Sequence, residues 1–228
     1  MFQTICVACL GGTVAVLVLY HLLLKRKCEA AKGEKRDVHR FTVLERLTHA
    51  ALALSFLTLA LTGFGAACAG KSLSSWPWLL HWAAAPVFAA AVALVALVWT
   101  QDAVFEPHDW KWMLHLGGNV WRKDGLLASR FNAGQKLFLW LLSLFCLLLV
   151  LSGVTLMCPV FDASGQRWVL RVHRYSALLL TMQFLAHVYL GILAHPGTLW
   201  GMITGYVTPS WARQHHPVWW DDGRMVDG

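Results

Sequence analysis

Residues 169–194 read VLRVHRYSALLLTMQFLAHVYLGILA. A bilayer core of about 30 Å needs about 20 apolar residues in a helix, and this run is long enough. It contains two histidines, His173 and His187, fourteen residues apart. At about 1.5 Å per residue that separation is about 21 Å, and at about 3.6 residues per turn it is close to four turns. Both imidazoles therefore project from nearly one helix face, at opposite levels of a membrane.

Four further apolar runs of similar length lie at residues 4–24, 47–68, 76–99 and 137–160. Lipid satisfies no open strand edge, so helices are the reading for all five. Composition agrees. The chain is 57% hydrophobic and only 14% charged, against about 25% charged residues in average proteins. That leaves too little charge to coat a soluble domain, and the 13 tryptophans suit membrane interfaces. The fold class is all-α, an integral membrane bundle of five transmembrane helices. It divides into an N-terminal helix (1–24), a basic loop (25–46), a four-helix domain (47–207) and a C-terminal tail (208–228).

The net charge of +7 does not imply nucleic acid, because its distribution is a topology signal. The segments 25–46 and 100–136 and the tail hold 15 of the 19 Lys and Arg residues, and the positive-inside rule puts these on the cytoplasmic side. The N-terminus is then periplasmic and the C-terminus cytoplasmic, in a bacterial inner membrane. The first run has no basic residue before it and Lys25-Arg26-Lys27 after it, which fits a retained helix rather than a signal peptide. Six cysteines are scattered through or beside apolar runs and read as small hydrophobes. Cys6 and Cys9 are followed by Leu10, where covalent heme attachment needs His.

Ionisable side chains within a membrane are costly and usually functional. His49 begins the second helix on the cytoplasmic side, and His81 begins the third on the periplasmic side beside Trp78 and Trp82. Depth pairs His81 with His173 and His49 with His187. Heme b needs two axial nitrogens and a dry slot, which two histidines supply, so two heme b groups stack across the bilayer. The alternative is that each histidine is a satisfied core or interfacial residue. Small residues such as Gly63, Ala83–Ala85 and Gly153 provide either close helix packing or space for a macrocycle. Arg171 and Arg174, flanking His173, serve as propionate partners or as interfacial anchors.

Several motifs resemble one family, the gamma (cytochrome b) subunit of membrane-bound formate dehydrogenases. They are Arg40-Phe41-Thr42, Glu45-Arg46-Leu47-Thr48-His49, Leu61-Thr62-Gly63, Phe131-Asn132-Ala133-Gly134-Gln135-Lys136, Leu151-Ser152-Gly153-Val154 and Trp211-Ala212-Arg213-Gln214-His215-His216-Pro217. The resemblance implies the same four heme ligands in the same pairs. It also implies a site for menaquinone or ubiquinone near the cytoplasmic heme, at Asn132, Gly134 and Gln135. The implied partners are an iron–sulfur beta subunit and a catalytic alpha subunit of a periplasmic oxidoreductase, with no substrate catalysis by this chain alone. Three features depart from the family: an extra N-terminal helix, Trp82-Ala83-Ala84-Ala85 after His81, and His195-Pro196-Gly197-Thr198 before Gly201, where the family often carries a Lys. They leave open a hydrogenase or another molybdenum or tungsten oxidoreductase as the partner. A membrane transporter with metal-binding or proton-relaying histidines is the alternative of another class. It calls for polar residues converging at mid-membrane and an internal repeat, and the sequence has neither.

Overall fold

The computed structural model describes residues 1–23, 33–118 and 125–222. Leu24, the Lys25-Arg26-Lys27 run, Cys28, Arg122, Lys123 and Arg224 lie outside them. Among the described residues, five helices are long and apolar enough to cross a membrane. These are α1 (Phe2–Leu23), α2 (Val43–Cys68), α3 (Ser75–Trp99), α5 (Ala133–Met157) and α6 (Ala163–Val188). A π-helical segment, Tyr189–Ala194, extends α6. The short helices are α4 (Pro107–Leu114), α7 (Thr198–Thr204), α8 (Pro209–His215) and α9 (Pro217–Asp221).

Three of the membrane helices begin four or more residues before their apolar runs, because polar residues cap them. Thr42 and Glu45 form a capping box at α2: the Thr42 amide donates to Glu45 Oε2 at 2.7 Å, and the Glu45 amide to Thr42 Oγ1 at 3.3 Å. Asn132 and Gln135 do the same at α5, both bonds being 3.0 Å. Asp162 Oδ1 accepts from the Gly165 amide at 2.8 Å at the start of α6. The fourth run also stops early, at Met157 rather than residue 160, since Pro159 disfavours helix in the residue before it.

The chain divides into two compact units. The first comprises Met1–Val14, Thr48–Leu97 and Leu141–Leu185. Its interior is aromatic and aliphatic. Phe56 packs on Phe184 and Phe88, with ring centroids at 4.9 and 6.1 Å, among buried Val92, Val95, Leu178 and Leu180. Gln3 ties α1 to the end of α2 by donating to the carbonyls of Ala67 and Cys68 at 3.0 and 2.9 Å. The cysteines are less uniform than expected: Cys6 and Cys146 are buried, whereas Cys68 and Cys158 are exposed.

The second unit comprises Ala15–Leu47, Val98–Trp140 and Ala186–Gly228. It holds the one strand pair among the described residues, Val38–His39 against Tyr206–Val207, antiparallel. Gly205 makes the pairing possible. Its φ is +90°, and its carbonyl accepts from the Arg40 and Phe41 amides at 2.8 and 3.2 Å. A Cβ there would stand 2.8 Å from the Phe41 carbonyl oxygen. Within the segment 208–228 the described residues form α8 and α9, burying Trp211, Ala212, His216 and Trp219. Val38 and Val207 complete that apolar cluster.

Candidate functional site

In the first unit His81 of α3 and His173 of α6 face one another, with ring centroids 6.3 Å apart and planes at 53°. Each Nδ1 meets a hydroxyl. Thr62 Oγ1 is 2.8 Å from His81 Nδ1, and Ser152 Oγ is 2.9 Å from His173 Nδ1. Both hydroxyls already donate to their own helix: Thr62 to the Thr58 carbonyl at 2.7 Å, and Ser152 to the Leu148 carbonyl at 2.5 Å. A hydroxyl has one proton to give, so each can only accept from its histidine. This assigns the proton of both rings to Nδ1 and leaves the Nε2 lone pairs for a metal.

The residue after each hydroxyl is glycine. A Cβ on Gly63 would lie 3.3 Å from His81 Cε1, and one on Gly153 would lie 3.6 Å from His173 Cε1. The room these glycines leave is thus taken by the imidazoles, a use that neither sequence reading of them anticipated. Two imidazoles that each place a nitrogen about 2 Å from one shared metal hold their centroids about 6 Å apart. The observed pair therefore fits heme iron by spacing and by tautomer. Arg171 and Arg174 lie over aromatic rings, Trp168 at 4.8 Å and Phe2 at 5.5 Å.

His49 stands half-buried early in α2 and belongs to the first unit. His187 belongs to the second, where its ring stacks on Phe138 at 4.5 Å and 27°. The helix changes from α to π two residues later, and π-helical turns occur often at functional sites.

Asn132 and Gln135 spend their amide oxygens on the capping box of α5, and their amide NH2 groups take no part in it. Gly134 lies beneath an indole: a Cβ there would be 3.0 Å from Trp112, which α4 supplies.

Residues 40–205 match the family model described as prokaryotic cytochrome b561. The chain belongs to the prokaryotic cytochrome b561 family. It is a multi-pass membrane cytochrome b that transfers electrons, and the family implies heme b as its cofactor. Among curated proteins it is 27% identical over 211 residues to the formate dehydrogenase cytochrome b556(fdo) subunit of Escherichia coli strain K12, covering 85% of this chain and 97% of that protein. The nitrate-inducible b556(Fdn) subunit of the same strain is 25% identical over 213 residues, covering 82% and 92%. The formate dehydrogenase cytochrome b556 subunit of Haemophilus influenzae is 29% identical over 140 residues, covering 59% and 58%.

This cytochrome also contains a buried polar network that depth reasoning overlooked. In the second unit Arg130 bonds Glu45 at 2.6 Å and Asp102 at 2.7 Å, and Trp99 Nε1 donates to Glu45 at 2.5 Å. Arg40 is 3% exposed, packed against the rings of Trp211, Trp219 and Phe41. Burial, and then Arg130, push its guanidinium down to about 9, so it remains a cation at neutral pH. Arg40 Nη2 donates to His216 Nε2 at 3.0 Å, and His216 Nδ1 donates to the Ser129 carbonyl at 2.8 Å. Both ring nitrogens are used by neutral imidazole. Burial first, and Arg40 second, hold His216 well below the usual histidine range. Burial, then His195 and Arg40, push His215 down to about 3. The Arg40 and His216 motifs are plain in the sequence. Their burial is not, because a histidine beyond the last apolar run reads as solvated.

Proposed function

We propose that this cytochrome is the membrane subunit of a formate dehydrogenase. It receives electrons from an iron–sulfur subunit, which works with a catalytic subunit on the periplasmic side of the inner membrane. It delivers them to menaquinone or ubiquinone near the cytoplasmic side. The names of the relatives support the partner, and the basic residues of segments 25–46 and 100–136 support the orientation. The observation that carries the reading is the His81/His173 pair, with each Nδ1 on a hydroxyl and the ring centroids 6.3 Å apart, which supports ligation of one iron through the two Nε2 atoms.

In this account His81 and His173 hold one heme b, and His49 and His187 hold a second at the other membrane level. Heme b, when bound, takes up and releases one electron at its iron. Thr62 and Ser152 keep their imidazoles in the ligating tautomer. Asn132, Gly134 and Gln135 form the quinone site, where amide NH2 groups donate to a quinone oxygen without competing for its protons. Protons taken up there, with electrons arriving from outside, build membrane potential.

The test is purification of the intact complex under anaerobic conditions. Formate dehydrogenase subunits should copurify, formate should reduce the heme, and added menaquinone should reoxidise it. Copurification with a hydrogenase, and heme reduction by hydrogen but not formate, would assign the other partner.

A further inference from the structure

Lys136, the last residue of the F-N-A-G-Q-K motif, is fully buried. Its Nζ donates to Asp109 Oδ2 at 2.7 Å and to Glu106 Oε2 at 2.8 Å. Asp109 is also fully buried, and its second oxygen, Oδ1, has no hydrogen-bond partner. His108 Nε2 stands 3.8 Å from that oxygen and 3.6 Å from Glu106 Oε2. The cluster has a wet end and a dry end. The Glu106 side chain is 43% exposed and that of His108 18%, while those of Lys136 and Asp109 are at 0%. Ser129 Oγ also donates to Glu106.

A clamp between α4 and α5 does not call for this chemistry. Apolar residues of similar volume often hold a buried contact as well as an ion pair. Asp109 Oδ2 also accepts from the Glu106 amide at 2.7 Å in the capping box of α4, but neither the cap nor the clamp uses the second buried oxygen, Oδ1. The ligand atoms of Glu106, His108 and Asp109 lie within 4.8 Å of one another, but the Lys136 ammonium already sits on both carboxylates, where a metal ion would. What the cluster suits is proton movement. It holds two carboxylates against one ammonium, with an imidazole at the entrance. Burial alone would raise the Glu106 carboxyl, but the hydrogen bonds from Lys136 and Ser129 outweigh it and hold the group below its usual range.

The cluster is joined to the head of α5. Lys136 follows Gln135, and α4, which carries His108 and Asp109, also lays Trp112 on Gly134. We propose that Glu106, His108, Asp109 and Lys136 form the proton-uptake route of the quinone site at the head of α5. The proposal rests on the quinone-reducing reading above. A quinone that accepts two electrons takes up two protons. For each, an N–H bond of Lys136 breaks as an O–H bond forms on the reduced quinone. The neutral amine regains a proton taken from water at Glu106 and passed by His108 to the Asp109 carboxylate; Asp109 hands it on to Lys136 and returns to the carboxylate, so that each cycle consumes one proton from water and leaves the cluster unchanged.

Glu106→Gln and Asp109→Asn are near-isosteric and test the route in the intact complex, with heme content and spectrum as the check on folding. Stopped-flow reoxidation of the reduced cytochrome by a menaquinone analogue should slow at least about tenfold at unchanged quinone KM. The solvent deuterium isotope effect should grow, and acetate or imidazole should partly restore the rate of Glu106→Gln. Normal reoxidation in both variants across pH 6–9 would overturn the route, and so would slowing with a raised KM and no rescue by weak acid. If the unmodified complex fails to reduce quinone at all, the quinone reading fails first and the route falls with it.

Discussion

Ser152 Oγ lies 2.9 Å from His173 Nδ1 while donating its own proton to the Leu148 carbonyl at 2.5 Å. The same relationship holds between Thr62 and His81 on another pair of helices. Two hydroxyls, each placed beside a glycine, thus set the tautomer of two facing imidazoles.

Replacing Ser152 by Ala, or Thr62 by Val, removes the acceptor for Nδ1–H. The imidazole then becomes a less basic ligand, which stabilises ferric iron less. We expect the midpoint potential of the affected heme to rise and its retention to weaken about 10–100-fold. Redox potentiometry and heme titration check this, and an unshifted potential would count against the hydrogen bond.

The two glycines should differ. A methyl group on Gly63 meets His81 at 3.3 Å, tighter than ordinary contact, whereas on Gly153 it meets His173 at 3.6 Å, an ordinary distance. Gly63→Ala should therefore lose more heme, or shift its spectrum more, than Gly153→Ala. Equal losses would show that the imidazoles are not what fills that space.

His216→Phe keeps a ring in the cluster but leaves the Ser129 carbonyl and one of the two Arg40 Nη2 N–H groups unpaired, the other staying on the Arg130 carbonyl at 3.0 Å, at a cost of about 1–3 kcal/mol for each lost partner. The melting temperature of the purified complex should fall, with the heme spectrum at neutral pH unchanged. Loss of heme at neutral pH would show that the network does more than hold the second unit together.

Acid should destabilise the second unit. His215 and His216 both titrate lower in the folded chain than their unfolded value of 6.5. The unfolded chain therefore binds more protons below that pH, and stability falls as pH drops from about 6.5 toward about 3, the value of His215. The slope is at most about 1.4 kcal/mol per pH unit for each histidine. Thermal unfolding at pH 7.5, 6.5 and 5.5 reads this directly, and a flat profile would mean that neither histidine is buried as described.

Gln135→Met should slow quinol formation while leaving heme content intact, with a smaller loss of stability from the broken capping box, about 1 kcal/mol. Steady-state turnover with a menaquinone analogue measures the first effect. Unchanged turnover would remove Gln135 from the quinone site.

The five membrane helices were legible because lipid imposes a length and an apolarity that a run of residues either meets or does not. The meeting of His81 and His173, whose ring centroids are 6.3 Å apart, was legible because depth along two apolar runs puts both imidazoles at one level. The partner hydroxyls were less so. Thr62 and Ser152 look like any hydroxyl in a membrane helix until their carbonyl bonds show that they can only accept. The Arg40–His216 contact was hidden for a different reason, because it joins residues 176 apart in sequence and neither lies in an apolar run. The same holds for Lys136, whose carboxylate partners stand in a loop and a short helix of ordinary polarity.

Heme content per chain tests the central claim most directly, measured with a reduced-minus-oxidised spectrum on the purified cytochrome and on His173→Ala. The account predicts two heme b groups per chain, and one in the variant, with the His49/His187 heme remaining. A single heme in the unmodified cytochrome, or two retained in His173→Ala, would contradict the pairing of His81 with His173 on which the rest depends.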